Sequence, residues 1–148
     1  MKEAKDFAIQ CIKDEAQAVL DLIPQLTDSF NEAVRLIYAC KGKVIVTGVG
    51  KSGHIGAKIA ATFSSTGTPS FFINPLDVYH GDLGVMTPDD VVLAISNSGQ
   101  TDELLRFIPM VLHMQILADD AVFGGTCDNT DIREILKEKF PGIDDLIN

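Results

Sequence analysis

Lys43-Val44-Ile45-Val46-Thr47-Gly48-Val49-Gly50-Lys51-Ser52-Gly53 is a β-branched run that breaks into a tight polar turn. About fifty residues later the pattern recurs: Val91-Val92-Leu93-Ala94-Ile95 leads into Ser96-Asn97-Ser98-Gly99-Gln100-Thr101. A helix-like pattern follows each turn. A strand, a polar turn and a helix start make an anion site, because orphan N–H groups point out of the helix N-terminus and the helix dipole favours negative charge there. Two such turns at the carboxyl ends of neighbouring parallel strands converge on one crevice. Hydroxyls line both turns, so the expected guest is a phosphate monoester rather than a buried dinucleotide.

Working outward, the α/β texture holds over the middle of the chain. Strands are expected at 43–47, 70–73 and 91–95, and helices at 52–65 and 102–114. The first of these helices should turn Ile55, Ile59, Ala60 and Phe63 inward. In the second, Pro109 removes a backbone donor and should kink the helix or shift its end. Residues 76–90 read as a loop with a short helical turn, entered through Asn74-Pro75. Alternating strands and helices at this spacing predict right-handed crossovers and a parallel sheet.

Before the first strand lie two helical patterns. Residues 3–23 carry Ala8, Cys11, Ile12, Ala16, Val19 and Ile23 at helical spacing, up to Pro24. A second helix starts near Thr27 or Asp28, with Phe30, Ala33, Val34, Ile37 and Tyr38 on one face and Gly42 at the C-cap. This helical hairpin covers the sheet or joins a partner subunit. Beyond Met114 the pattern weakens: 115–118 or 121–123 could be a fourth strand, and 128–140 reads as a helix. The chain is thus read as one domain over 1–148: N-terminal helices to 41, a core over 42–114 and a tail over 115–148.

With 21 acidic and 12 basic residues the formal net charge is -9. That argues against nucleic acid or an anionic membrane as partner, so a phosphorylated ligand must be held by local donors. Cys11, Cys40 and Cys127 form no C-x-x-C pair and are expected as free thiols in a reducing cytosol. The charged start leads into no apolar h-region, and no apolar run is long enough to span a bilayer. A cytoplasmic location is expected.

The first turn fits G-x-G-x-x-G after a strand, which invites a nicotinamide reading. A dinucleotide fold wants an acid at the end of the second strand; that position is Asn74-Pro75, and the P-loop pattern is absent too. In the second turn Ser96, Ser98 and Thr101 place three hydroxyls at a helix start, each able to donate to a phosphate oxygen. Helix capping is the plainer use of such residues, but three within six positions exceed what a cap needs. His80, in a loop at the carboxyl end of the sheet, is a candidate general acid or base, or a sugar hydroxyl contact, with Asp82 to orient it. Glu103, just past the phosphate turn, is a candidate general base. Lys51 is placed to neutralise a developing enolate or to bind phosphate. His54 and His113 sit in helical patterns and are read as structural.

Three strips carry a family resemblance: Thr47-Gly48-x-Gly50-Lys51-Ser52-Gly53, then Asn74-Pro75-x-Asp77-x-x-His80-Gly81-Asp82-Leu83-Gly84, then Ser96-Asn97-Ser98-Gly99-x-Thr101-x-Glu103. Over Gly42–Met114 the chain resembles the sugar isomerase (SIS) domain and, within it, the arabinose-5-phosphate isomerases. The resemblance implies a three-layer, doubly wound parallel sheet of SIS type, flavodoxin-like or Rossmann-like, behind the N-terminal helical hairpin. It implies an aldose–ketose isomerase that interconverts D-ribulose 5-phosphate and D-arabinose 5-phosphate through a cis-enediol, in supply of the Kdo sugar of lipopolysaccharide or of capsule. It puts Gly50, Ser52, Ser96, Asn97, Ser98 and Thr101 in the substrate and phosphate site, and Lys51, His80 and Glu103 near the reacting carbons, with Glu103 as the base. No metal or organic cofactor is required, and a homodimer or homotetramer is expected.

The tail departs from that family. Members carry a further active-site histidine in this region, commonly lent by a neighbouring subunit, and here no histidine follows His113. The competing expectation is therefore a non-catalytic phosphosugar-binding SIS module.

Overall fold

The computed structural model describes residues 2–78 and 81–113. The expectations for His80 and for the tail lie outside the described residues.

Three strands, β1 (Val44–Gly48), β2 (Ser70–Ile73) and β3 (Val91–Ile95), form a parallel sheet in the order β2-β1-β3. Val44 pairs with Ser70 on one side and Val91 on the other, and the ladders run to Thr47–Ile73 and Gly48–Ile95. β1 is buried along its whole length, as a central parallel strand covered on both faces must be. Its continuous apolar run follows from that position.

Alternation along β1 sorts the core into two layers. Val44 and Val46 pack with Ala60, Ile59 and Phe63 of α3 (Gly50–Ser65), and Ile37 joins them from the N-terminal helices. Ile45 faces the other way. It packs with Ile73, with Val78 of α4 (Pro75–Val78), with Met86, and with Leu104, Leu105, Phe107, Ile108 and Val111 of α5 (Asp102–His113). Helices on both faces of a parallel sheet make the fold a three-layer, doubly wound α/β sheet. The chain leaves β1 over one face and β3 over the other, so the winding reverses between these two strands. That reversal is the topological switch point.

The strand expectations hold to within one residue, but several helical ones need correction. Ile55 does not face inward; it is 58% exposed. The contact face of α3 is instead Gly53, Gly56 and Ala60, all buried. A Cβ on Gly56 would stand 3.2 Å from the Phe72 ring and 3.3 Å from Val46, so bare glycine backbone lets the helix lie close to the sheet. The helix expected over 102–114 is present as α5 (Asp102–His113), with Pro109 inside it. The expected loop over 76–90 holds two short turns, α4 and a 3-10 turn at Asp82–Val85. Asn74 starts it by accepting the Leu76 N–H on its side-chain oxygen at 3.0 Å.

The first helix, α1, spans Lys2–Leu20, and a separate 3-10 turn at Ile23–Gln25 forms around Pro24. α2 spans Asp28–Ala39 with Thr27 at its N-cap. The hairpin does not cover the sheet through α1: Phe7, Ile12 and Val19 are 71%, 67% and 65% exposed. On α2, Phe30, Val34 and Tyr38 are also exposed, and Ala33, Leu36 and Ile37 form the half-buried side. Gly42 is not the helix cap either. Cys40 is, and Gly42 instead donates its N–H to the Asp89 carbonyl at 2.9 Å. A side chain at position 42 would run into the Asp90 carboxylate and the Asp89 carbonyl.

Asp90 fastens the amino ends of β1 and β3. Its side chain is fully buried. It accepts the Lys43 backbone N–H at 2.8 Å, the Lys43 ammonium at 2.7 Å and the Thr87 N–H at 2.8 Å. Burial pushes its carboxyl up, yet these bonds and the Lys43 charge outweigh burial and hold it below the ordinary 3.8.

Candidate active site

Gly48 and Ile95 are Cα partners, so both polar turns leave the sheet on the same rung. A Cβ on Gly48 would stand 3.0 Å from the Ile95 carbonyl oxygen and 3.1 Å from the Ser52 carbonyl carbon. The end of β3, the end of β1 and the first turn of α3 therefore press together as bare backbone. In open α/β sheets, ligands bind at such a switch point, beyond the carboxyl ends of the strands.

On the first turn, Val49 is the N-cap of α3 in extended conformation, and no side chain caps the helix. The early N–H groups of α3 thus keep their capacity for an outside acceptor. Gly50 takes φ +59°. Gly50 and Lys51 are exposed and Ser52 is half-buried, so all three lie at the helix mouth where the sequence places them.

The second turn is held by its own hydroxyls. Ser96 Oγ and Thr101 Oγ1 are 2.9 Å apart. Ser96 Oγ also accepts the Gly99 N–H at 3.0 Å, and Ser98 Oγ accepts the Gln100 N–H at 3.2 Å. Gly99 has φ +65° and is buried, a backbone state that glycine adopts without Cβ strain. Thr101 stands where α5 begins, and its carbonyl accepts the Leu105 N–H at 2.9 Å. Asn97 and Ser98 are exposed at the tip, while Ser96 and Thr101 are half-buried beneath it. Glu103 lies in the first turn of α5 and is half-buried. A hydroxyl-lined turn at the N-terminus of a twelve-residue helix is an arrangement that can take an oxyanion.

Of the expected set, Gly50, Lys51, Ser52, Ser96, Asn97, Ser98, Thr101 and Glu103 all lie on the two rung-matched turns or in the helix turns they open. His80 lies outside the described residues. His54 is on an exposed position of α3, and His113 closes α5. Among the described residues no group of three or more His, Cys, Asp or Glu side chains converges, and no helix is long and apolar enough to cross a membrane. Thr47 heads the first motif strip, which assigns it no site role, and it is buried next to last in β1. Its signal is a polar residue late in an otherwise apolar strand.

Known proteins resemble this chain in sequence and in fold. The arabinose 5-phosphate isomerase KdsD of Yersinia pestis is 51% identical over 108 residues, 73% of this chain and 33% of the relative. KdsD of Pseudomonas aeruginosa is 52% identical over 119 residues, 78% of this chain and 36% of the relative. The chain spans about a third of the length of these curated relatives. A protein of E. coli CFT073 solved in complex with arabinose 5-phosphate has the same fold, with a TM-score of 0.71 at 42% identity, over 76% of this chain and 60% of that one. The SIS domain family matches residues 37–115. The chain belongs to the SIS domain family.

Proposed function

We propose that the crevice between β1 and β3 binds a pentose phosphate and that the chain carries an aldose–ketose isomerase site for D-arabinose 5-phosphate and D-ribulose 5-phosphate. The observation that carries this reading is the shared rung: the Gly48–Ile95 pairing brings an uncapped helix mouth and a hydroxyl-lined turn to one crevice. The phosphate lies against the second turn, on Ser96, Ser98, Thr101 and the α5 N-terminus. Asn97 closes the tip, and Gly50 and Ser52 approach from the first turn.

The sugar carbons then extend toward Glu103 and Lys51. Glu103 removes the C2 proton of the open-chain aldose. The electrons of that C–H bond form the enediol double bond as the carbonyl oxygen takes up a proton. Return of a proton to C1, with loss of the C2 hydroxyl proton, gives the ketose. Lys51 offsets the charge that develops on oxygen. His80 is proposed from its sequence position as the acid–base or sugar hydroxyl partner. This chemistry asks for no metal or organic cofactor.

Residues 1–148 are proposed as one SIS domain, acting in the cytoplasm in a route toward Kdo-type sugars of lipopolysaccharide or capsule. Self-association into a dimer or tetramer is part of the reading, since α1 and α2 leave large apolar side chains in water. Titration calorimetry tests the binding step: arabinose 5-phosphate should bind and NADH should not. Binding without turnover would mark a phosphosugar-binding module. Absence of binding would leave the two turns as helix caps.

A further inference from the structure

Thr47 is next to last in β1 and fully buried, and its Oγ1 has no hydrogen-bond partner among the described residues. Native proteins rarely leave such a group unpaired, and each instance calls for a cause. Its place in the fold supplies one. Thr47 lies one residue before Gly48, paired with Ile73 and Ala94 at the carboxyl end of the sheet. By strand alternation it shares the face of Ile45, beneath the layer of α4 and α5. α5 begins at that end of the sheet, with Glu103 in its first turn. The unpaired hydroxyl thus lies one rung below the junction from which both turns leave the sheet, on the face that α4 and α5 cover.

We infer that Thr47 is a sugar-binding residue of the phosphosugar site, and that its hydroxyl takes its missing hydrogen bond from a hydroxyl of the bound sugar. This rests on the reading of the crevice as a phosphosugar site. The phosphate has hydroxyl and amide donors above; a sugar hydroxyl can donate or accept, and a threonine hydroxyl can answer it either way. The group is closed from solvent in the free protein, so the two turns ease apart as the ligand enters. An unpaired buried hydroxyl costs stability, and a site that keeps one trades stability for binding.

The test uses the full chain and the variants Thr47→Val and Thr47→Ser, with arabinose 5-phosphate and inorganic phosphate as probes. Valine keeps the shape and removes the hydroxyl. Thr47→Val should raise the melting temperature of the free protein and weaken arabinose 5-phosphate binding roughly three- to tenfold. It should leave inorganic phosphate affinity unchanged, and Thr47→Ser should restore sugar-phosphate affinity. A lower melting temperature for Thr47→Val would mean that the hydroxyl is already paired in the free protein and would overturn the inference. An unchanged arabinose 5-phosphate dissociation constant in a variant whose parent binds would overturn this inference alone. No binding by the parent would overturn the phosphosugar reading, and this inference with it.

Discussion

Gly48 and Ile95 face each other on the last rung of the β1–β3 ladder. One residue further on, each strand enters its polar turn: Val49 occupies the N-cap position of α3, and Ser96 opens the turn that leads to α5. Because α3 and α5 lie on opposite faces of the sheet, the two turns diverge from a common floor. In the proposed site, a phosphate above that floor meets N–H groups and hydroxyls from both sides.

Ser98 is the tip hydroxyl, exposed and accepting only a local backbone N–H. Ser98→Ala should leave the fold nearly intact, because no core contact is lost. One charge-assisted hydrogen bond to phosphate contributes roughly 1.5–3 kcal/mol. Arabinose 5-phosphate affinity should therefore fall by about tenfold or more. Titration calorimetry reads this directly, and an unchanged dissociation constant removes Ser98 from the site.

Asp90 makes stability sensitive to acid. Its folded pKa lies below the ordinary value of 3.8, so the folded state binds fewer protons than the unfolded chain in that range. The contribution is complete above the unfolded value and is lost as pH falls through the lower folded one. Denaturation curves from about pH 6 down to about pH 2 should show a loss that Asp90→Asn flattens. At neutral pH, Asp90→Asn should itself cost roughly 1.5–3 kcal/mol, from the weakened bonds to Lys43 and Thr87. Parallel acid limbs for the two proteins would show that Asp90 is not the group responsible.

Self-association should be visible at micromolar concentration. Phe7, Ile12, Val19 and Ile23 in the N-terminal segment, and Tyr38 on α2, are each more than half exposed, more apolar surface than a monomer keeps in water without consequence. Light scattering should report a dimer or larger. A uniform 16.0 kDa species would contradict this, and substituting Phe7 and Ile12 by serine should shift the distribution toward it.

Much of this is legible in the chain because strong local signals agree. The run Val44–Val46 reads as a buried strand and is one, and Gly50 and Gly99 mark turns whose backbone most residues resist. The misreadings share one cause. Periodicity ranks side chains by apolarity and so turns Ile55 inward. Packing distance decides instead, and it selects Gly53 and Gly56, whose missing side chains let α3 approach Phe72. Gly42 misleads for the same reason: its use is room for Asp89 and Asp90, residues nearly fifty positions away. Thr47 looks like one more β-branched residue until burial without a partner among the described residues sets it apart. Site residues near the turns are readable since their spacing follows from strand, turn and helix start. How the hydroxyls pair among themselves depends on the folded turn.

The most direct measurement is deuterium incorporation at C2 of arabinose 5-phosphate in heavy water, followed by proton NMR for the parent and for Glu103→Gln. The glutamine keeps size and hydrogen bonding but removes the basic lone pair, and a general base contributes about 10²–10⁴-fold. The parent should exchange the C2 proton and form ribulose 5-phosphate. Glu103→Gln should bind the sugar phosphate with similar affinity and show no exchange. Exchange by Glu103→Gln at the parental rate, or a parent that neither binds nor exchanges, would contradict the account.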